Sequence, residues 1–189
     1  FYTLRYTSSF DALQISSDAS WTNDVTDSWT DIHNVVHNKD HATATFNPRD
    51  EANNNGKKSG SYNAQTKRIT WSVVINYNQL PLNGASISDE IRTFDSDTPG
   101  SPNYMANGDQ NYVTGSAHLY EANIDSQGNV SYDATKPINS TISYTASSDN
   151  SHGIQGTLTV TDFPEPSTKA YILVYDTTLD NYVISSLGY

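Results

Sequence analysis

The stretch Arg68-Ile-Thr-Trp-Ser-Val-Val-Ile-Asn76 alternates polar and apolar residues along most of its length. Because side chains that recur with a period of two lie on one face of an extended chain, this pattern predicts a β-strand with Trp71 in the core. The next residues, Tyr77-Asn-Gln-Leu-Pro-Leu-Asn-Gly84, are rich in turn formers. They predict a loop that follows the strand.

Other segments carry the same strand signal and are separated by turn-forming residues. Gly115 interrupts one of them and predicts a β-bulge, while Asp125-Ser-Gln-Gly128 predicts a hairpin turn. Short strands with regular turns between them are typical of an all-β sandwich, which is the fold class that we expect. The further predicted strands are residues 85–89, 112–120, 138–144, 157–160 and 170–175.

The composition narrows the classes of partner. The 189 residues carry a formal net charge of −11 and include 13 Tyr, 3 Trp and no Cys. Neither disulfides nor thiolate metal sites hold such a chain together, and the negative charge argues against a nucleic acid or an anionic membrane as partner. No apolar run approaches the roughly 20 residues that span a bilayer, and Phe1 opens without a leader-like segment. We therefore expect a mature extracellular segment without membrane insertion.

The first residues of the chain recur near its end. Residues 2–17 align without a gap on residues 171–186, and seven of the sixteen positions are identical. Three of the identities, at Tyr171, Leu173 and Tyr175, are spaced by two, as on one face of a strand. The recurrence predicts a tandem-repeat protein.

Residues 58–76, followed by residues 82–89, resemble the opening of an immunoglobulin-like, collagen-binding-type adhesin domain of Gram-positive surface proteins. The shared pattern is Lys-x-Gly, a short turn, Ile-x-Trp-x-Val-x-x-Asn, and then a strand that closes in Asp. Residues 112–120 and 170–178 resemble later strands of that family. The resemblance implies an immunoglobulin-like β-sandwich, repeated along a wall-associated protein, that catalyses no reaction on an external substrate.

A polar, turn-forming segment at residues 47–56 is the predicted boundary between two parts of the chain. We expect residues 1–54 to be the closing strands of a preceding repeat, or permuted closing strands of the same domain. Residues 55–189 then form an adhesin domain that lacks its own last strand. Residues 40–46 resemble that strand, so the resemblance implies that the N-terminal segment or a neighbouring molecule supplies it.

Members of this family often form an amide cross-link between a lysine and an asparagine. An amine in apolar surroundings can lose its charge and act as a nucleophile, while a nearby carboxylic acid polarises the amide. On the family pattern Lys58 is the amine and Asp89 the acid. The expected asparagine aligns with Asp40, and Asn38 lies two residues earlier. Three outcomes stay open: a bond to Asn38, a Lys-Asp amide with Asp40, and no bond.

Three histidines, His33, His37 and His41, are spaced by four residues and raise the question of a metal site. No glutamate accompanies them in a His-Glu-x-x-His arrangement, and the neighbouring valines favour a strand. The acidic loops at residues 95–97 and 107–109 do not match a calcium-binding loop. We therefore predict exposed histidines near a turn, solvated acidic turns, and no metal or other cofactor.

Four rings, those of Trp21, Trp29, Tyr104 and Tyr112, are candidates for stacking on a ligand, with core filling as the alternative. We expect a non-enzymatic adhesin or stalk module at the cell surface. Its expected partners are a host extracellular-matrix protein or glycan and adjacent repeats of the same protein. Two alternatives stay open: a carbohydrate-binding β-sandwich of a secreted enzyme, and a fibre subunit that exchanges strands through unpaired edges.

Overall fold

The structure, a computed structural model, describes residues 5–7, 20–92, 109–148 and 154–180. Antiparallel strands dominate these ranges, with one short helix, α1 (Asp50–Asn53), among the described residues. The β-branched and aromatic residues of the chain fit the pleated, half-buried surface of such strands. The strands are β1 (Trp21–Thr30), β2 (Val36–Phe46), β3 (Gly56–Asn63), β4 (Arg68–Ile75), β5 (Ile87–Arg92), β6 (Asp109–Tyr112), β7 (His118–Ile124), β8 (Val130–Tyr132), β9 (Thr141–Ala146), β10 (Ile154–Thr161) and β11 (Ala170–Asp180).

The chain divides into two compact units, Phe1–Asn55 and Gly56–Tyr189. In the first unit, β1 and β2 form an antiparallel hairpin in which Trp21 pairs with Phe46. The ladder skips Asp40, which is therefore the extra residue of a β-bulge in β2.

The second unit contains two antiparallel sheets. The larger sheet has the strand order β3-β4-β11-β7-β8, and β6 also pairs with β11. The smaller sheet has the order β5-β10-β9. In the described residues, β3 and β8 are the edges of the larger sheet, while β5 and β9 are the edges of the smaller one.

The core lies between these two sheets. Leu119, Leu173 and Tyr175 come from the larger sheet, and Leu158 and Val160 come from the smaller one. All five are at most 1% exposed. On β10 the core residues alternate with partly exposed neighbours, whereas on β11 the intervening residues Ala170 and Ile172 are buried in a second cluster on the other face of the larger sheet. Two sheets that enclose one core are the pattern of a two-layer sandwich. The all-β sandwich that the sequence predicts is thus confirmed.

Asn76 explains why β4 ends where it does. Its backbone has a φ of +55°, a left-handed conformation that asparagine tolerates better than most residues. The side chain is buried and donates to the backbone oxygens of Leu80 and Lys169, while its oxygen accepts from the N–H of Leu80. The asparagine that closes the sequence motif therefore caps the loop that the turn-rich residues predict.

The structure corrects the predicted strand over residues 112–120. This segment forms two strands, and Gly115 lies in a turn between them with a φ of +78°. On the partner strand β11, β6 ends opposite Thr177 and β7 begins opposite Val174, so the intervening loop spans only three steps of β11. Six residue steps, from Tyr112 to His118, therefore face three steps of β11. A β-bulge has only one extra residue, so this segment is not a bulge.

Most of the predicted repeat lies outside the described residues. Of residues 2–17 only residues 5–7 are described, and of the second copy the part up to Asp180 forms β11. The division between the two compact units falls after Asn55, within the predicted boundary segment at residues 47–56. Tandem repetition and the origin of the first unit in a preceding repeat stay predictions.

Truncating a core residue tests the two-sheet packing. Leu158 on β10 is fully buried, so Leu158→Ala should lower the free energy of unfolding by about 2–5 kcal/mol through lost burial and the cavity left behind. Urea denaturation measures the change. The matched control is Thr145→Ala at an exposed position of β9, which should cost less than about 0.5 kcal/mol. Similar losses in both variants would contradict this core.

Candidate functional site

Lys58 and Asp89 come together from strands of different sheets. Lys58 lies on β3 opposite Val73, a residue that packs against the core, and directly opposed residues share a sheet face. Asp89 lies on β5, at an edge of the smaller sheet. Lys58 Nζ donates to Asp89 Oδ1 at 2.6 Å, and the two side chains are 37% and 12% exposed. The contact therefore joins the two layers at the rim of the sandwich.

Aromatic rings line the Lys58 ammonium. Its Nζ lies 4.9 Å from the ring centroid of Trp71 and 5.8 Å from that of Tyr175. A cation near a ring face is attracted by the ring quadrupole. Gly60 makes room for this arrangement, because a Cβ at that position would lie 2.8 Å from the Trp71 ring. The Lys-x-Gly spacing thus brings the lysine and the tryptophan side by side.

Tyr175 holds the other oxygen of the carboxylate. Its hydroxyl donates to Asp89 Oδ2 at 2.8 Å, and its side chain is almost fully buried. Burial, and next the negative charge of Asp89, raise the pKa of Tyr175 above its usual value. The phenol therefore stays protonated and available as a donor. Trp71 is fixed in turn, because its Nε1 donates to Thr177 Oγ1 at 2.9 Å.

This arrangement suits proton transfer next to an amine. Asp89 accepts from Lys58 with one oxygen and from Tyr175 with the other, so the orientation of its carboxyl group is set by two hydrogen bonds. A carboxyl group in that position can exchange a proton with the amine or with a third group that approaches it. The structure therefore places the amino group of Lys58 beside a carboxyl group whose orientation is fixed.

The two candidates for the third group, Asn38 and Asp40, lie on β2 in the first unit. Their side chains are outside the described part of the structure. The bulge at Asp40 interrupts the regular pairing of β2 with β1. Lys58 and Asp89 are the candidates that the structure brings together, and the cross-link itself stays a prediction.

The histidines occupy the β1–β2 hairpin. His33 is exposed in the turn, and the side chain of His41 is outside the described part. His37 Nε2 lies 3.0 Å from Asp31 Oδ2, and this hydrogen bond is the main cause that lowers the pKa of Asp31. The Trp29 ring stacks on His37 with centroids 5.1 Å apart. Among the described residues, no cluster of three or more His, Asp or Glu side chains is placed to hold a metal ion.

Of the candidate ligand-binding rings, Trp21 and Trp29 belong to the first unit and Tyr112 to the second. Trp21 is half-buried with its ring centroid 6.2 Å from that of Phe46, whereas Trp29 is 48% exposed. Tyr104 and the acidic loop at residues 95–97 lie outside the described residues. In the second acidic loop, only the backbone of the last residue, at the start of β6, is described.

Tyr112 lines a groove of about 310 Å³ beside the turn between β6 and β7. Its ring centroid lies 4.8 Å from that of Tyr144, and the two planes are tilted by 34°. The rings also pack against the core cluster, so core filling accounts for part of their area. The remaining lining residues are Thr114, Gly115, Ala117 and Ile142.

The sequence does not identify Tyr144 and Tyr175 as residues of these sites. For Tyr144 the sequence predicts only a position in a strand, and no motif indicates that its ring lines a groove. Tyr175 is one of the repeat identities and lies two residues from Leu173, which predicts a buried strand residue but not its bond to Asp89. A contact between residues 86 positions apart depends on packing and not on a local pattern.

Comparisons with known proteins find a similar solved structure but no family. No protein-family model matches the sequence, and no curated protein matches it. The chain is similar to the crystal structure of the collagen binding domain of Erysipelothrix rhusiopathiae surface protein RspB, with 13% identity and a TM-score of 0.39. The match covers 88% of this chain and 46% of that one, so the chain spans about half the length of the similar structure.

The described residues contain no helix that is long and apolar enough to cross a membrane.

Stability at high pH tests the environment of Tyr175. An unfolded tyrosine ionises near pH 10, while the folded state keeps the Tyr175 proton because its pKa is raised. Above about pH 10 the unfolded state therefore binds fewer protons, and this one group lowers stability by up to about 1.4 kcal/mol per pH unit. In Tyr175→Phe the free energy of unfolding should therefore fall less steeply with pH, because the contribution of Tyr175 is missing. Urea denaturation from about pH 9 to 11 measures it, and parallel curves for both proteins would contradict the assignment.

Proposed function

We propose that this chain is a non-enzymatic adhesion or stalk module of a wall-associated bacterial surface protein, in which Lys58 forms an amide cross-link. The observation that carries the proposal is the 2.6 Å contact between Lys58 Nζ and Asp89 Oδ1. The resemblance to collagen-binding-type adhesin domains assigns the amine and the acid to these two residues. Their contact between two sheets, beside Trp71 and Tyr175, supports that assignment.

The proposed reaction uses Lys58, Asp89 and Tyr175 of this contact network and a partner side chain from β2. Asp89 accepts a proton from the Lys58 ammonium, and the resulting amine attacks the side-chain carbonyl carbon of an asparagine. Asp89 then passes protons from the attacking nitrogen to the leaving nitrogen, so that the bond from the carbonyl carbon to that nitrogen breaks, the new amide forms and ammonia departs. With an aspartate as partner, water departs instead. The Tyr175 hydroxyl keeps the Asp89 carboxyl group in one orientation during these proton transfers. Asn38 and Asp40 are the proposed partners.

A cross-link suits a module that works under load. Surface attachment pulls on the folded chain, and a covalent bond keeps the two strands that it joins together when their hydrogen bonds break. The chain contains no cysteine, so a disulfide is not available for this purpose. An amide between Lys58 and Asn38 or Asp40 would join β3 covalently to β2.

Intact-mass spectrometry tests the cross-link directly. A Lys-Asn amide should lower the mass by about 17 Da because ammonia leaves, and a Lys-Asp amide by about 18 Da because water leaves. Lys58→Ala and Asp89→Ala should each restore the unshifted mass. The matched control is Lys57→Ala, which changes the neighbouring lysine and should keep the shift. An unshifted wild-type mass would show that this chain forms no cross-link.

A binding assay and a force measurement test the adhesion or stalk role. Surface plasmon resonance over immobilised collagen, fibronectin and heparan sulfate should show saturable binding if the module contacts a matrix ligand. A stalk module should instead resist unfolding in single-molecule pulling, with a resistance that Lys58→Ala reduces. A chain that binds none of these ligands and loses no mechanical strength in the Lys58 variant contradicts both forms of the proposal.

A further inference from the structure

The groove beside the turn between β6 and β7 has the size and the lining of a small-molecule site. Its volume of about 310 Å³ falls within the range of roughly 300–1,000 Å³ that is usual for ligand pockets. The lining combines two tyrosine rings, the apolar side chains of Ala117 and Ile142, one threonine and one glycine. A Cβ at Gly115 would meet no atom within 4 Å, so the space beside the turn is open.

The Tyr144 ring is held in place from the neighbouring strand β10. Its hydroxyl donates to the backbone oxygen of Gln155 at 3.0 Å. A Cβ at Gly156 would collide with that hydroxyl, so the glycine leaves the room that the ring occupies. One wall of the groove is therefore ordered by the fold itself, and a ligand that packs on it loses little affinity to the ordering of side chains.

The wall formed by Tyr112 is also constrained. The Tyr112 ring packs between two others, with centroids 4.8 Å from Tyr144 and 6.4 Å from Tyr175. The turn that follows is tied to β11, because the Val113 N–H donates to the backbone oxygen of Asp176 at 3.0 Å. The shape of the groove thus depends on both sheets of the sandwich.

The groove is suited to a neutral ligand. None of its six lining side chains carries a charge at neutral pH, and burial raises the pKa of Tyr144, so that its phenol stays protonated. In the described part of the chain no carboxylate lines the groove to pair with a cationic ligand. The net charge of −11 disfavours anionic ligands through long-range repulsion.

A sugar ring has the two kinds of surface that this lining can contact. One face of a pyranose presents C–H groups that pack on an aromatic ring, and its edge presents hydroxyls that donate and accept hydrogen bonds. Tyr112 and Thr114 contribute hydroxyl groups to the lining, and the backbone of Gly115 adds a donor and an acceptor. A proline side chain also offers an apolar face, but it has no hydroxyls with which to use these polar groups.

We propose that this groove binds a neutral sugar unit of a glycan, with Tyr112 and Tyr144 as the aromatic wall and Thr114 as a hydrogen-bonding partner. The site is separate from Lys58 and Asp89, neither of which lines the groove. The proposal names a class of ligand for the adhesion form of the proposed function and rests on that form, but it does not need the cross-link.

Saturation-transfer difference NMR of the whole chain tests the binding. The probes are neutral mono- and disaccharides of glucose, galactose, mannose, N-acetylglucosamine and N-acetylgalactosamine, with lactose and sialyllactose as a neutral and charged pair. At least one neutral sugar should show saturable transfer with a Kd in the millimolar range or below, and sialyllactose should bind more weakly than lactose. Absence of transfer from every neutral probe, or preference for sialyllactose, overturns the proposal.

Two substitutions locate the bound sugar. Tyr112→Ala removes part of the aromatic wall and should weaken binding by about tenfold or more. Thr114→Trp fills the groove from an exposed position of the turn, leaves the core rings unchanged and should abolish binding. The matched control is Tyr62→Ala, which removes a 51% exposed tyrosine of β3 outside the groove and should bind like the wild type. Unchanged binding in a folded Thr114→Trp chain, or equal loss in Tyr62→Ala, overturns the assignment.

Further probes distinguish other occupants and the failure of the proposed function. A peptide of Pro-Pro-Gly repeats and choline are tested against the wild type and Thr114→Trp. Binding of either one that Thr114→Trp abolishes, without binding of a sugar, assigns the groove to that ligand and overturns the proposal. Lys58→Ala should bind the sugar as the wild type does. Its mass is read in parallel, so a missing cross-link and a missing sugar site give separate results.

Discussion

The central strand β11 orders the larger sheet, because it pairs with β4 on one side and with β6 and β7 on the other. One row of its side chains faces the smaller sheet and is at most 1% exposed: Tyr171, Leu173, Tyr175 and Thr177. A strand flanked on both sides satisfies its backbone groups, and its buried row supplies the apolar area that holds the second layer. Within the larger sheet, β4, β6 and β7 take their positions from this strand.

The candidate site is an extension of the same buried row to the rim. Tyr175 reaches Asp89 on the smaller sheet, and Thr177 accepts from Trp71, whose ring lies beside Lys58. Two residues of the core strand thus set the positions of the acid and of the ring that the lysine contacts. The geometry around Lys58 therefore depends on the same sandwich packing that stabilises the fold, and a change in β11 would disturb both.

Local pattern predicted the strands whose alternation is strong, among them β4, β10 and the start of β11. It did not predict β1, and it predicted one strand where the structure has β6, a turn at Gly115 and β7. Both strands pair with β11, which is distant in sequence, so the local pattern does not contain their register. The resemblance named Lys58 and Asp89, but their distance and the role of Tyr175 required the structure. The hydrogen bonds of Asp89 with Lys58 and Tyr175 join residues 31 and 86 positions apart, so the periodicity of a single segment cannot predict them.

The amino-acid sequence by itself determined the class of fold, since a period of two and a supply of β-branched and aromatic residues are compatible with pleated sheets and not with helices. It also determined the charge of each segment, including the basic β3–β4 pair and the acidic first hairpin. Only the tertiary structure decided which strands are neighbours and that Lys58 meets Asp89. The physical reason is that periodicity tells which face of a strand is buried, whereas the partner on that face depends on how separate strands pack.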